Sequence, residues 1–482
     1  MSVVVAPDGP VDRIYFHVGT PEVLAAKAIC EDSGGAPIRD ANRLSKASFN
    51  SWIYLDLPCQ GRIRLLLTSD AHIGEVYLFR GFEKRVLNGI ETNYGDPSRL
   101  FDEQTLLNEP PNYFYGAIYD EIIYVRTARE YLTQSAPFVH FDHPPLGKDI
   151  IALGVGLAGM SPLGWRLPQL ASGVLVLIVV YLIGSHLAGA RTGLLATLLL
   201  ALNPLHYTYS RLGLLDVHLV LFGSLSALFF LRAERRLFLV LSLSMLGAAA
   251  AVKWTALLLF PALLLLLLIR RPRVDVRKYG PAVLGGILTA GVIYLGSYAP
   301  YYAAGFGLGD VLAEQCCGPR SIFSYHSTIF TFNLQDGWNS PWWSWPLSPW
   351  VPSPYSTLAV GGAVSGVTAI GNPLLAWMSL PLMAWALWTG IPFLRRKSAS
   401  DSTPKETWTL LVLSVFFFAA WLPLSIPSRT TYFYHYYLPF VLSLPVLAYW
   451  LGKQPVRFRY IFITIAALLF LALLRPALGL WG

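Results

Sequence analysis

Two acids stand side by side in "YGAIYDEIIYVRTAREYL" (115–132): Asp120 and Glu121. A carboxylate beside a hydroxyl can take its proton, which is general-base chemistry. Ile118, Ile122, Ile123 and Val125 recur at helical spacing, so the pair sits where a helix begins. Adjacent acids there also serve simply as partners of the helix dipole. Further on, "HFDHPPLGKD" (140–149) crowds two acids, two histidines and a lysine around a double proline. Pro144 and Pro145 keep the chain out of helix, with Asp142 and His143 before the kink and Lys148 after it. Two polar clusters beside one apolar run point to a site.

More ionisable groups recur at the ends of apolar runs. In "YSRLGLLDVHLVLF" (209–222), Arg211 offers a planar fork that suits phosphate oxygens. Asp216 and His218 begin a strongly apolar stretch, where a titratable group is a functional hypothesis by default. Lys253 in "AVKWTALLLF" (251–260) fits a site or a plain Lys–Trp interface anchor almost equally. "YHSTIFTFNLQDGWNSPWWSWPLSP" (325–349) brings His326 and the tryptophans Trp338, Trp342, Trp343 and Trp345, whose faces suit sugar rings and membrane interfaces alike. "RTTYFYHYYLPF" (429–440) brings Arg429 and His435. Asp142 with His143 falls short of a metal site, and the adjacent Cys316 and Cys317 lack zinc spacing.

What must position these groups is a membrane domain. The 482 residues are 54% hydrophobic and 13% charged, about half the charge of a soluble domain. Ten apolar runs are candidate spans: 168–187, 190–204, 213–231, 237–252, 254–269, 280–302, 373–394, 407–426, 433–452 and 460–475. The net charge of +8 marks topology rather than nucleic acid, because basic residues follow every odd-numbered span. That places residues 1–167 and the loop 303–372 outside. The apolar stretch 149–164 reads as an interfacial helix, with Lys148 and Asp149 as site residues or simple anchors.

The organisation follows: 1–105 an extracytoplasmic β-rich domain, 106–167 a first outer loop with the acids and the interfacial helix, 168–302 transmembrane helices, 303–372 a large outer loop, and 373–482 the C-terminal helices. "RIYFHVG", "NSWIYLDLP", "RIRLLLTS" and "GEVYLFRG" read as strands of a sandwich. Cys30 and Cys59 either pair in an oxidising compartment or remain buried thiols. "MSVVVAPDGP" carries no signal peptide, so the outside placement expects either an upstream span or transfer of the domain by the first spans.

The ordered motifs "YDE", "DHPPLGK", "GWRLP", "SRLGLLDVHL", "VKWTAL", "YHST", "SPWWSWPL", "GNPLLAW" and "YHYYLP" resemble the protein O-mannosyltransferases, prokaryotic branch. The resemblance covers about 110–452. It implies an all-α polytopic type C glycosyltransferase fold in the plasma membrane, with the active site on the extracytoplasmic face. It implies a polyprenyl- or dolichyl-phosphate mannose donor and a Ser/Thr hydroxyl of an exported protein as acceptor, with no metal or other cofactor. Nucleic acid is not a partner; membrane lipid is, and the resemblance leaves room for a dimer.

By match to the family's acid pair, Asp120 becomes the base and Glu121 orients the loop or acceptor. Arg211, helped by Lys148, would take the leaving phosphate. Asp142, His143, Asp216, Lys253, His326, Trp342, Trp343 and His435 would line donor and acceptor. A single displacement inverts the anomeric carbon. The family places a helix before its acid pair and a polar stretch after "YHST". This chain instead has a β-rich region before the pair and "FTFNL" after "YHST", which weakens the protein-acceptor reading. The rivals are the same donor chemistry with a lipid or polysaccharide acceptor, and an inactive scaffold or transporter-like protein.

Overall fold

The computed structural model describes residues 1–19, 23–46, 50–67, 72–92, 96–105, 107–111, 115–135, 138, 140–270, 276–317, 321–328, 340–347, 349, 356–360, 363–394, 404–426 and 431–478. Trp338, Arg429 and the "FTFNL" stretch lie outside them. The chain divides into two compact units, Met1–Arg126 with Ser356–Gly366, and Thr127–Tyr355 with Val367–Leu478.

The first unit is an antiparallel sandwich. Its strands are β1 Ser2–Pro7, β2 Val11–Val18, β3 Val23–Glu31, β4 Pro37–Lys46, β5 Ser51–Cys59, β6 Arg62–Leu67, β7 Ile73–Arg80, β8 Glu83–Lys84 and β9 Leu87–Thr92. One sheet runs β4-β3-β6-β1-β9 and the other β5-β2-β7-β8. Strict alternation builds the core: Ile63 and Leu65 of β6 and Ile14, Phe16 and Val18 of β2 are buried between the sheets. Each such side chain contributes about 1.5–3 kcal/mol. Cys30 of β3 and Cys59 of β5 form a disulfide, Cα–Cα 5.5 Å, that ties one sheet to the other. Cys316 and Cys317 of the second unit are also bonded to each other.

The outer face of the second sheet is aromatic, with Tyr15, Tyr77 and Phe79 buried beside Leu107. The segment after β9 covers it. Tyr77 Oη donates to Glu103 O at 2.6 Å, and Lys84 Nζ donates to Leu107 O at 2.8 Å. Gln104 Nε2 donates to the buried Glu75 carboxylate at 2.6 Å. Burial pushes the Glu75 carboxyl up to about 7 from an ordinary 4.5, against the donations from Gln104 and the Glu103 amide.

The native state therefore holds this proton where the unfolded chain releases it. Its contribution is complete below about 4.5 and is lost as pH rises through about 7. Glu75→Gln is expected to remove that decline. Amide exchange of β7 between pH 5 and pH 8, corrected for intrinsic rates, checks it.

The second unit is helical. After α1 Glu121–Thr133, which begins in the first unit, come α2 Leu146–Ala158, α3 Pro162–Ala188, α4 Ala190–Ala201, α5 Pro204–Arg211, α6 Asp216–Leu231, α7 Arg236–Val252 and α8 Leu259–Arg270. Then follow α9 Val276–Gly296, α10 Ala299–Ala303, α11 Leu308–Cys316, α12 Ile322–Thr328, α13 Pro373–Leu394, α14 Lys405–Trp421, α15 Tyr437–Gly452 and α16 Val456–Leu478.

Helix boundaries correct the sequence reading in two places. The helix expected over 149–164 starts at Leu146, directly after Pro145, and ends at Ala158. Pro162 interrupts nothing; it occupies the first turn of α3, behind an N-cap Ser161 whose hydroxyl accepts from Gly164 N at 3.3 Å. Packing is close where side chains are absent. A Cβ on Gly247 of α7 would stand 2.5 Å from Ala290 Cα of α9, so only glycine admits that crossing.

Ten spans were expected. Among the described residues five helices are long and apolar enough to cross a membrane: 162–188, 279–296, 373–392, 405–425 and 456–475. The pair α5 and α6, bent by 113° across 212–215, makes a sixth if it is one broken span. Ala190–Ala201, Arg236–Val252 and Trp254–Ile269 are apolar but shorter. The last two are separated where Lys253 leaves the helix in an extended conformation, φ −149° and ψ 136°.

Candidate active site

The double proline puts its polar flank where the sequence predicts, and a buried lysine holds it there. Lys148, on the first turn of α2, is fully buried. Its ammonium donates to His140 O at 3.0 Å and His143 O at 2.8 Å. Those bonds close the 140–148 loop on itself, so Lys148 is not a plain interface anchor. Burial pulls its ammonium down to about 8, against the opposing charges of Glu314, Asp149 and Asp142. Next to it, burial pushes the Asp149 carboxyl up to about 8.

The loop gathers imidazoles. His140 Nε2 stands 3.2 Å from Asp142 Oδ2. The His326 ring, from α12, meets Asp142 O at 3.0 Å and lies 5.5 Å from the ring of His143. Burial lowers the proton affinity of His140 and, far more strongly, of His143, helped there by the charge of Lys253. Asp142 stays below the ordinary carboxylate range. Burial pushes its carboxyl up, but hydrogen bonds from His140 and Tyr325 and the charges of His140 and Lys148 outweigh that. An ionised carboxylate among neutral imidazoles and a buried ammonium can bind hydroxyls and phosphate. Among the described residues no group of three or more His, Cys, Asp or Glu side chains could hold a metal ion.

A second group joins through Lys253. Its ammonium pairs with Asp216 Oδ1 at 2.8 Å, both side chains under a tenth exposed, and lies 4.9 Å from the ring centroid of Tyr434. Each comes from a break in a helix: Asp216 opens α6 after the bend, and Lys253 ends α7. Asp216, Lys253, Thr255 and His435 line one pocket together with Leu219 and Leu438. The His435 ring is stacked by Trp345 (6.1 Å) and Tyr434 (4.5 Å).

Other predicted residues take different places. Arg211, half-buried at the C-terminal end of α5, donates to Ala477 O of α16 and lies 5.3 Å from the Tyr207 ring. Trp342 packs edge-on against Trp421 at 5.6 Å, whereas Trp343 is 58% exposed.

The acid pair belongs to the first unit, where the two carboxylates differ. Glu121 is fully buried and accepts from Ile118 N at 3.0 Å, closing the first turn of α1 in the manner of a capping box. Asp120 is half-buried and follows Tyr119, whose φ of 53° is uncommon for an aromatic residue.

Sequence reasoning missed His140 and Glu314 as members of the loop's electrostatics. His140 stands two positions before Asp142 in the quoted motif, so its spacing was there to read. Nothing in "VLAEQCC" signals Glu314, whose carboxyl is raised by burial against donation from Tyr301 and the charge of Lys148.

The protein O-mannosyltransferase Pmt1-Pmt2 complex of S. cerevisiae, solved bound to the sugar donor, superposes with a TM-score of 0.62 at 11% identity, covering 77% of this chain and 87% of that one; the likeness is one of fold. Residues 142–295 match the family model for dolichyl-phosphate-mannose-protein mannosyltransferase, which bears out the resemblance read from the motifs. A polyprenol-phosphate-mannose–protein mannosyltransferase of Mycolicibacterium smegmatis is 28% identical over 311 residues, 51% of this chain and 60% of that protein. Its namesake from Mycobacterium tuberculosis is 27% identical over 359 residues, 61% of this chain and 66% of that one. The chain thus spans about 60% of the length of the first of these relatives.

Proposed function

We propose that the chain transfers mannose from a polyprenyl-phosphate donor to a Ser or Thr hydroxyl of an exported protein, on the outer face of the plasma membrane. The observation that carries this is the cluster of two buried lysines, Lys148 and Lys253, with the half-buried Asp142, His143 and His326. It is built within the segment that matches the mannosyltransferase family, apart from His326. The bacterial relatives are named for this donor and for protein acceptors.

The chemistry follows from the groups. A phosphate leaves as an anion, so it needs positive charge rather than a general acid. Arg211 has the fork for it, with one N–H already given to Ala477 O, and Lys148 and Lys253 set the field of the loop and pocket. Asp120 takes the acceptor proton while the sugar inverts, and Glu121 fixes the turn that carries Asp120. Asp216, His435, Trp342 and Trp343 are assigned to donor or acceptor contact.

The test is transfer of labelled mannose from a polyprenyl-phosphate donor to a Ser/Thr-rich peptide by the purified chain. Labelled peptide supports the reading. Label in lipid or polysaccharide with none in peptide replaces the acceptor, and no transfer from this donor removes the activity. Within that assay, Arg211→Ala should lower kcat and kcat/KM together, because a developing phosphate charge is contacted more strongly in the transition state than before it. A rise in KM alone would move Arg211 to uniform donor binding.

A further inference from the structure

The stretch that carries Asp120 is gripped by the β-sandwich. Ala117 N donates to Asn50 O at 2.9 Å, and Trp52 Nε1 donates to Tyr115 O at 3.2 Å. Asn50 turns the chain into β5 with φ of 50°. Gly116 lies between the two bonds and is buried. A Cβ there would stand 3.2 Å from Asn50 O and 3.2 Å from Trp52 Cδ1, closer than such atoms normally pack. Trp52 is itself braced, its ring 4.9 Å from His17 of β2 and 5.6 Å from Tyr77 of β7.

Downstream, Tyr119 is held at φ 53°, a conformation that persists only where its surroundings impose it. The Glu121 carboxylate then closes the turn on Ile118 N. Asp120 is thus fixed from both sides: by the start of β5 before it and by the first turn of α1 after it.

We infer that the β-rich unit is a positioning device for the general base. Asn50, Trp52 and Gly116 set where the Asp120 carboxylate stands, and act through it. The inference rests on the reading of Asp120 as base. It gives residues 1–105 a part in the reaction, since a carboxylate displaced by about 1 Å can cost on the order of 10²-fold in rate.

The experiment is a double-substitution cycle on the full chain in the mannose transfer assay. Trp52→Phe keeps a smaller aromatic ring against His17 and Tyr77 and removes the donor; Gly116→Ala pushes on Asn50 and Trp52. Trp52→Phe is expected to lower kcat about tenfold with KM within about twofold, and to speed amide exchange at Ala117. In an Asp120→Asn background the same substitution should cost nothing further, because both act on one group. Should Gly116→Ala fail to fold, Trp52→Phe carries the test alone.

Three results overturn the inference. Wild-type kcat in Trp52→Phe, beside a dead Asp120→Asn, removes the positioning role and leaves the base in place. An equal loss in both backgrounds makes the contact a general structural one. Normal turnover by Asp120→Asn removes the base, and the positioning role with it.

Discussion

Asp120→Asn is expected to lose about 10²–10⁴-fold in turnover while folding and binding donor as the parent does. The amide matches the carboxylate in size and cannot take a proton. The site supports the asymmetry between the two acids. Glu121 is fully buried with its carboxylate committed to Ile118 N, whereas Asp120 is half-buried on the turn ahead of it. Glu121→Gln should therefore behave differently: it keeps an acceptor for Ile118 N, weakens the turn that carries Asp120, and costs stability together with a smaller loss of kcat. Donor affinity and kcat measured separately check both, and full turnover in Asp120→Asn would sink the assignment.

The second large effect concerns the ion pair. Lys253→Met leaves Asp216 buried without the ammonium 2.8 Å away, and breaking such a pair costs about 3–5 kcal/mol. Unfolding in detergent micelles should show that loss. Joining Asp216→Leu to it is expected to restore most of the stability, since a buried pair replaced by apolar groups is often neutral. Transfer should not return, because the charge that reaches His143 and the pocket is gone. Activity recovered along with stability would make the pair a structural element and nothing more.

Legibility differed by element. The strands read from sequence, β2, β5, β6 and β7, carry apolar or aromatic side chains toward a core. β4, "PIRDANRLSK", is an edge strand, exposed at residues 37–40 and Asn42, with only Ala41 among its described side chains touching the core, and held to β3 by backbone pairing. Composition says nothing about such a strand. β3, "VLAAKAICE", hides among alanines that favour helix in isolation.

The membrane helices were legible as apolar runs, but the breaks were not. The bend across 212–215 and the extended Lys253 are tertiary outcomes within continuous hydrophobicity. In the site, the motif "HFDHPPLGKD" was visible. The use of Lys148 was not, because its partners are main-chain carbonyls and main chain has no sequence signature.

Those breaks have a consequence of their own. Backbone that leaves the helix beside hydrocarbon must be wrapped in protein or be wet. Lys253 and the start of α6 leave it on the wall of the same pocket, where the Lys253–Asp216 pair is under a tenth exposed, so protein does the wrapping. On the proposed function, a sugar donor reaching that wall is shielded from water by the same wrapping. The selectivity such a wall would give the proposed transfer is against hydrolysis, a wasted sugar, before it is a choice among proteins.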